Sequence, residues 1–209
     1  AGLEPARYLA VARSWVLQTI AGLQPDLLLV DTFPGGTFGE LAAALELAGR
    51  RALVARKVRD DFAADDAYRA LLPLYDLVVT PEEGGGPVLI RDRQELPSRE
   101  EARRALGVAG DRRAVLVTLG GGGDPAAGVT LPRLIDPLLA RGWHVVVGAG
   151  PLYDGPERRG DGITWLDRYL AMELLPGLDA AVAAGRYNAF HELMHVGVPT
   201  VFLPQPRLA

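Results

Sequence analysis

The chain has 209 residues, with 22 Lys or Arg against 26 Asp or Glu and a formal charge of −4. This mild negative balance argues against an obligate nucleic-acid binder, which usually carries a basic face. The chain has no cysteine, so disulfides, thiolate metal sites and cysteine nucleophiles are excluded. Its single lysine, Lys57, removes nearly every Schiff-base or P-loop option.

Short apolar runs alternate with longer helical segments, which indicates parallel sheets with helices on both faces. In the first half, helices are predicted at 5–23, 37–48 and 65–72, and strands at 27–30, 52–55 and 77–80. The segment 81–97 contains two glutamates and three consecutive glycines, and it is typical of a loop with one short strand at 88–90. We therefore place a domain boundary after residue 96.

The second half continues the alternation. Helices are predicted at 98–106, 129–140, 171–175 and 188–196, and strands at 114–119, 144–147, 163–166, 180–183 and 200–203. Ser98 and Glu101 have the spacing of a capping box at the first of these helices. The fold class predicted is α/β, with two Rossmann-like parallel-sheet halves, an N-terminal domain at 1–96 and a C-terminal domain at 97–209.

The chain shows no membrane or export signal. No apolar run approaches the roughly 20 residues that cross a bilayer, and the first 13 residues lack the layout of a signal peptide. We therefore expect a soluble, cytoplasmic protein without a transmembrane segment.

Four consecutive glycines follow the predicted strand 114–119: Gly120, Gly121, Gly122 and Gly123. Glycine lets backbone N–H groups approach a phosphate or sugar where any Cβ would obstruct. An ordinary strand-to-helix turn needs one or two glycines, so four favour a ligand-binding loop. The spacing is not G-x-G-x-x-G, and no dinucleotide fingerprint is inferred.

A second candidate site follows the predicted strand 180–183. The strand ends at Gly185, and Asn188 is a good N-cap for the helix after it. Free N–H groups at a helix start favour an anion, so a diphosphate could lie against Asn188 and Ala189. Glu192, about one turn later, could accept hydrogen bonds from two ribose hydroxyls. On these residues alone, the favoured interpretation is an acid that merely suits the helix dipole.

The same helix matches H-E-x-x-H with His191, Glu192 and His195, a pattern that can bind zinc with Glu as general base. A zinc hydrolase needs a third ligand, and the 14 residues after His195 contain no His, Asp or Glu. His144, the only other histidine, opens a strand that is predicted to be buried. We therefore predict no metal site, with His191 lining the ligand crevice and His195 on the helix surface or packed.

The segment 179–204, DAAVAAGRYNAFHELMHVGVPTVFLP, resembles the C-terminal nucleotide-sugar-binding region of GT-B glycosyltransferases. The similarity is to bacterial peptidoglycan N-acetylglucosaminyltransferases and allied UDP-sugar enzymes. These enzymes have a strand, a glycine turn, a helix with an early Glu, then G-x-P and an apolar strand. In this chain Gly185 matches the turn, Glu192 matches the early Glu, and Gly197 with Pro199 matches G-x-P. Residues 115–125 resemble the family's glycine-rich loop, and residues 162–182 the stretch that meets the base.

The resemblance implies a role for each matching residue. Glu192 would bind the donor ribose, the diphosphate would lie on Asn188, Ala189 and Phe190, and the base would meet the backbone near Trp165 and Leu166. Gly121 to Gly123 would lie near the transferred sugar or the acceptor. The turn from Gly185 to Glu192 is one residue longer than in the peptidoglycan enzymes. The implied activity is inverting, metal-independent transfer from a nucleotide-sugar, favouring UDP, to an unidentified acceptor, with no cofactor.

Residues 25–43 resemble the N-domain strand and loop of the same superfamily. In related plant and antibiotic-tailoring transferases an Asp at this strand end orients a catalytic His, and Asp31 matches by position. A turn or capping acid is an equally weighted interpretation of Asp31. The first 143 residues contain no His, so no general base can be named. Family members open with a strand and continue further, and we expect this chain to be clipped at both ends.

Three other functions remain open. UDP-sugar hydrolases and epimerases share this scaffold, and the run GGGGDP is similar to a loop in one hydrolase branch. A zinc metallohydrolase would use His191, Glu192 and His195. A nucleotide-binding module without activity is the third.

Overall fold

Eight strands form two parallel sheets among the residues that the computed structural model describes, which are 4–84, 86–121, 123, 126–166 and 172–204. The chain divides into two units, Ala1–Pro87 and Val88–Ala209. Each unit holds one sheet with helices packed on it, so the predicted α/β fold with two parallel-sheet halves is confirmed. None of the helices within the described ranges is long and apolar enough to cross a membrane.

The first sheet has the order β1-β2-β3, with all neighbours parallel. Its strands are β1 (Leu27–Asp31), β2 (Arg50–Val54) and β3 (Leu77–Val79). The α-helices of this unit are α1 (Pro5–Leu23), α2 (Asp60–Ala63), α3 (Asp66–Leu71) and α4 (Pro81–Gly84). A small core on one face of the sheet joins Val30, Leu45, Leu53 and Tyr75.

The predicted helix at 37–48 is wrong. A 3-10 helix, Ala42–Leu47, is all that forms there. Gly36 and Gly39 have φ of +84° and +76°, which a right-handed helix cannot accommodate. The Glu40 carboxylate accepts hydrogen bonds from the amides of Thr37 and Phe38, at 3.2 and 2.7 Å. These bonds satisfy the amides in a turn instead of in a helix.

The second sheet has the order β6-β5-β4-β7-β8, again with all neighbours parallel. Its strands are β4 (Ala114–Thr118), β5 (His144–Gly148), β6 (Ile163–Trp165), β7 (Ala180–Ala184) and β8 (Thr200–Leu203). Its helices are α5 (Arg99–Ala105), α6 (Ala127–Ala140), α7 (Tyr187–Val196) and a 3-10 helix, Met172–Gly177. Residue 171, which opened the helix predicted at 171–175, lies outside the described residues.

The core of the second unit has two layers, one on each face of its sheet. Leu116 and Val146 face the side covered by Leu175 and Leu193, whereas Val115 and Val117 face Leu131 and its neighbours on α6. Strand β4 is therefore buried on both faces, which explains why its sequence is continuously apolar instead of alternating.

The capping box predicted at α5 is confirmed. The Ser98 amide donates to the Glu101 carboxylate at 2.9 Å, and the Glu101 amide donates to the Ser98 hydroxyl at 3.3 Å. Each side chain thus satisfies a backbone amide that the helix itself leaves without a partner.

The second unit begins at Val88, nine residues before the boundary predicted after residue 96. The short strand predicted at 88–90 does not form. Instead, this segment is held by the body of the second unit. The Val88 amide donates to the Tyr187 hydroxyl at 3.4 Å, Arg91 pairs with Glu173 at 3.2 Å, and Arg93 Nε donates to the His195 carbonyl at 2.6 Å.

Asp179 connects three parts of the second unit. Its carboxylate accepts hydrogen bonds from the Ala114 amide at 2.7 Å and from Arg99 and Arg103 at 2.6 and 3.3 Å. Burial raises the pKa of the Asp179 carboxyl, but the Ala114 amide and the two guanidinium groups outweigh burial and hold the pKa below its ordinary value. The charged carboxylate therefore stabilises the fold.

We expect Asp179→Asn to lower the free energy of unfolding by about 2 kcal/mol at pH 7, because a charged acceptor of three hydrogen bonds is lost. Because the folded-state pKa is lowered, this contribution is present above the ordinary pKa of Asp and is lost as the pH falls. Denaturant unfolding should therefore show a smaller difference in the free energy of unfolding between Asp179→Asn and wild type at about pH 3 than at about pH 7.

The matched control is Asp136→Asn, which weakens a largely exposed ion pair with Arg158. Such pairs contribute less than about 1 kcal/mol. An Asp179→Asn protein no less stable than this control at pH 7 would contradict the role given to Asp179.

Candidate nucleotide-sugar site

The predicted binding residues of the second unit gather at one edge of its sheet. Parallel strands place all their carboxyl ends together, and ligands of α/β sheets bind there. Thr118, at the end of β4, is in register with Gly148 at the end of β5 and with Ala183 on β7. The loop after Thr118 and the turn at Gly185 therefore lie side by side.

The glycine loop is fixed to the sheet through Thr118. The Thr118 hydroxyl donates to the Gly148 carbonyl at 2.7 Å and accepts from the Gly120 amide at 3.3 Å. Gly120 has φ of +91°, in the region that favours glycine. Gly121 and Gly123 are exposed at this edge, whereas Gly122 lies outside the described residues.

Trp165 is the last residue of β6, and Leu166 follows it at the same edge of the sheet. The Trp165 indole N–H donates to the Arg158 carbonyl at 2.7 Å, and its ring stacks on Tyr153 with centroids 5.7 Å apart. The Leu166 amide donates to the Val147 carbonyl at 2.9 Å. The indole of Trp165 is thus held by contacts within the second unit.

Helix α7 begins one residue earlier than predicted, at Tyr187, with Arg186 at the N-cap. The first helical hydrogen bond runs from the Phe190 amide to the Arg186 carbonyl at 2.9 Å. The prediction that Asn188 caps the helix is wrong, because Asn188 is the second helical residue. Its amide and that of Ala189 have no acceptor one turn earlier within the helix, which is the arrangement that attracts anions.

Glu192 lies four residues after Asn188, so both share one face of α7. Its side chain is half-buried, and burial raises the pKa of the Glu192 carboxyl. A partly desolvated carboxylate is a strong hydrogen-bond acceptor for a ligand hydroxyl. Burial therefore makes the charged form of Glu192 less favourable than it is in water.

The two histidines of the H-E-x-x-H pattern pack in different ways. The His191 ring lies 4.4 Å from the Tyr187 ring and 5.1 Å from the Phe190 ring, between centroids. His195 Nε2 is buried without a hydrogen-bond partner, so of the two predicted places, the helix surface or a packed position, His195 takes the packed one. Among the residues described, no three His, Asp or Glu side chains are placed to hold a metal ion.

In the first unit, Asp31 ends β1 and is held by two side chains. Arg56 Nη2 donates to its carboxylate at 2.8 Å, and the Thr32 hydroxyl donates to it at 3.0 Å. Arg56 Nε also donates to the Thr32 hydroxyl at 2.7 Å. Thr32 has φ of +66°, a strained conformation for a β-branched residue. The prediction for Asp31 missed Arg56, which follows 25 residues later on a different strand end.

Comparisons with known proteins find similarity to glycosyltransferases. The chain is 34% identical over 112 residues to the UDP-N-acetylglucosamine--N-acetylmuramyl-(pentapeptide) pyrophosphoryl-undecaprenol N-acetylglucosamine transferase of Clavibacter michiganensis, covering 52% of this chain and 30% of that protein. It is 31% identical over 126 residues to an uncharacterized glycosyltransferase of Methanopyrus kandleri, covering 58% and 35%. No protein-family model matches.

The fold is also that of solved glycosyltransferases. The chain superimposes on glycosyltransferase SsfS6 from Streptomyces sp. SF2575, complexed with thymidine diphosphate, with a TM-score of 0.60 and 19% identity. This match covers 96% of the present chain and 57% of that one. The resemblance to GT-B glycosyltransferases is thereby confirmed. The chain spans about a third of the length of the curated relatives that it matches.

We expect Glu192→Gln to raise the melting temperature of the ligand-free protein by about 2 °C at pH 7, because the amide avoids a desolvated charge. The folded-state pKa of Glu192 is raised, so its favourable contribution belongs to the protonated form and is lost as the pH rises through that pKa. Thermal unfolding should therefore show the two proteins converging as the pH falls below about 4.

Glu100→Gln is the matched control, since Glu100 is exposed in the first turn of α5. A Glu192→Gln protein that melted below wild type at pH 7 would contradict the desolvation of this carboxyl.

Proposed function

We propose that the chain is the nucleotide-sugar-binding portion of a hexosyltransferase-type glycosyltransferase, with a UDP-sugar as the preferred donor. The observation that carries this proposal is the convergence, at one sheet edge, of a glycine loop with the start of α7 and the half-buried Glu192. The sequence relatives, both glycosyltransferases by name, support the same activity.

In the proposed complex, the donor diphosphate lies at the start of α7 on the amides of Asn188 and Ala189. Glu192, one turn later on the same face, accepts hydrogen bonds from the ribose hydroxyls. The exposed backbone of Gly121 and Gly123 faces the sugar. These are the placements expected for a ligand at the carboxyl edge of a parallel sheet.

The chemistry proposed is inverting transfer without a metal ion. When the bond from sugar to phosphate breaks, negative charge grows on the departing diphosphate. Amides and the positive end of the helix dipole are already oriented toward that charge, so they stabilise it more in the transition state than in the ground state. The acceptor hydroxyl attacks the anomeric carbon from the opposite side and loses its proton to a general base.

Asp31 is proposed as a positioning residue on the acceptor side. Arg56 and Thr32 hold its carboxylate in one orientation, which is what a residue that orients a base or an acceptor requires. Its ion pair with Arg56 also fits a purely structural turn acid. Asp31→Asn in a transfer assay separates these roles, since a positioning role predicts a lower kcat with an unchanged melting temperature.

The choice between UDP and thymidine diphosphate depends on the pentose of the donor. One relative is named for a UDP-sugar, whereas the structural neighbour was crystallised with thymidine diphosphate. Thymidine diphosphate has no ribose 2′-hydroxyl. A carboxylate that accepts from both ribose hydroxyls favours UDP, because the deoxyribose offers one donor fewer.

We expect calorimetric titration to show UDP binding more tightly than 2′-deoxy-UDP or thymidine diphosphate. Glu192→Ala should weaken UDP binding about 10- to 100-fold, because hydrogen bonds to a charged group contribute about 1.5–3 kcal/mol. In that variant the preference for UDP over 2′-deoxy-UDP should vanish, since the acceptor of the 2′-hydroxyl is gone.

Glu100→Ala is the control, an exposed carboxylate on α5. Indifference of the wild-type protein to all nucleoside diphosphates would refute the proposed donor site. UDP release that does not depend on an acceptor would instead point to the hydrolase alternative on the same fold.

A further inference from the structure

The side chain of Arg186 crosses from one binding loop to the other. Its backbone lies at the end of β7, where its amide donates to the Ala184 carbonyl at 2.7 Å and its carbonyl starts α7. The side chain reaches over Gly120, at the end of β4. A Cβ placed on Gly120 would lie 2.5 Å from Arg186 Nε and 2.6 Å from Cδ.

Two features of position 120 favour glycine. Its φ of +91° favours glycine, and the missing side chain makes room for the arginine. The side chain of Arg186 thus lies between the start of α7, where the diphosphate is proposed to bind, and the glycine loop that is proposed to face the sugar.

Among the described residues, the loops that follow the strands of the second sheet contain three arginines: Arg158, Arg159 and Arg186. Arg158 pairs with Asp136, and Arg159 pairs with Glu157 at 2.7 Å. Arg186 is exposed, and no carboxylate within the described ranges forms an ion pair with it. It also makes no side-chain capping bond to α7, so local structure does not account for its placement.

We infer that Arg186 is a specificity-determining residue that binds the diphosphate of the donor through its guanidinium group. This inference rests on the proposed function, because it concerns the same nucleotide site. The planar guanidinium donates two parallel hydrogen bonds to phosphate oxygens. It adds a full positive charge to the partial charge of the helix start, so it favours nucleoside diphosphates over the bare nucleoside.

The test compares the dissociation constants of UDP and uridine by calorimetric titration. Arg186→Met keeps the apolar stem and removes the charge. We expect it to weaken UDP binding at least about tenfold and to leave uridine binding within about twofold of wild type. Arg186→Lys should retain part of the preference, since a lysine keeps the charge but lacks the two-pronged geometry.

Arg141→Met is the matched control. Arg141 is exposed at the end of α6, at the opposite edge of the same sheet, and the change removes the same charge. Melting temperatures of both variants exclude unfolding as the cause of weak binding. Equal UDP affinity in Arg186→Met and Arg141→Met would overturn the inference and leave the proposed donor site standing. Wild-type protein that bound UDP no more tightly than uridine would overturn both.

Discussion

The structure of the second unit depends on one buried strand. β4 has neighbours on both edges and apolar layers on both faces, so its register fixes β5 and β7 together. Because all three strands run in parallel, the loops that follow them must emerge at one edge. The candidate site is a consequence of this constraint. Residues as far apart in the sequence as Thr118 and Glu192 lie at this edge. β4 cannot shift without exposing both of its apolar layers to water.

The edge that results contains groups that the fold itself does not need. Glu192 is a partly desolvated carboxylate, and Arg186 is an exposed cation held over a glycine. A desolvated carboxylate and a cation without an ion pair are expected where a bound ligand supplies their hydrogen-bond and charge partners. The charges suit a ligand with an anionic centre and hydroxyl groups.

Local patterns predicted the second unit well. The apolar runs of β4, β5, β7 and β8 and the capping box at Ser98 are properties of neighbouring residues, so the sequence shows them directly. The helix prediction for residues 37–48 was wrong for a different reason. Its apolar spacing favoured a helix, but the Glu40 carboxylate took the amides of Thr37 and Phe38 into a turn. Competition of that kind is decided by geometry that periodicity does not contain.

The candidate site was predictable only in part. Glu192 and the glycines belong to recognisable segments, whereas the partners of the site residues come from distant positions. Arg56 reaches Asp31 across 25 residues, and Arg186 reaches Gly120 across 66. No pattern along the chain brings such pairs together, because sheet order creates these contacts. The N-cap of α7 was predicted at Asn188 because asparagine is a favourable capping residue. The turn at Gly185 instead starts the helix at Tyr187, with Arg186 at the N-cap.

The segment that begins the second unit braces α7 at both ends. Val88 contacts Tyr187 in its first turn, and Arg93 covers the carbonyl of His195 in its last. A fragment starting at Ser98, where the regular helices of this unit begin, would lose both supports. Separate expression of the second unit should therefore start upstream of Val88, since residues that resemble a linker in the sequence hold α7 by hydrogen bonds at both ends.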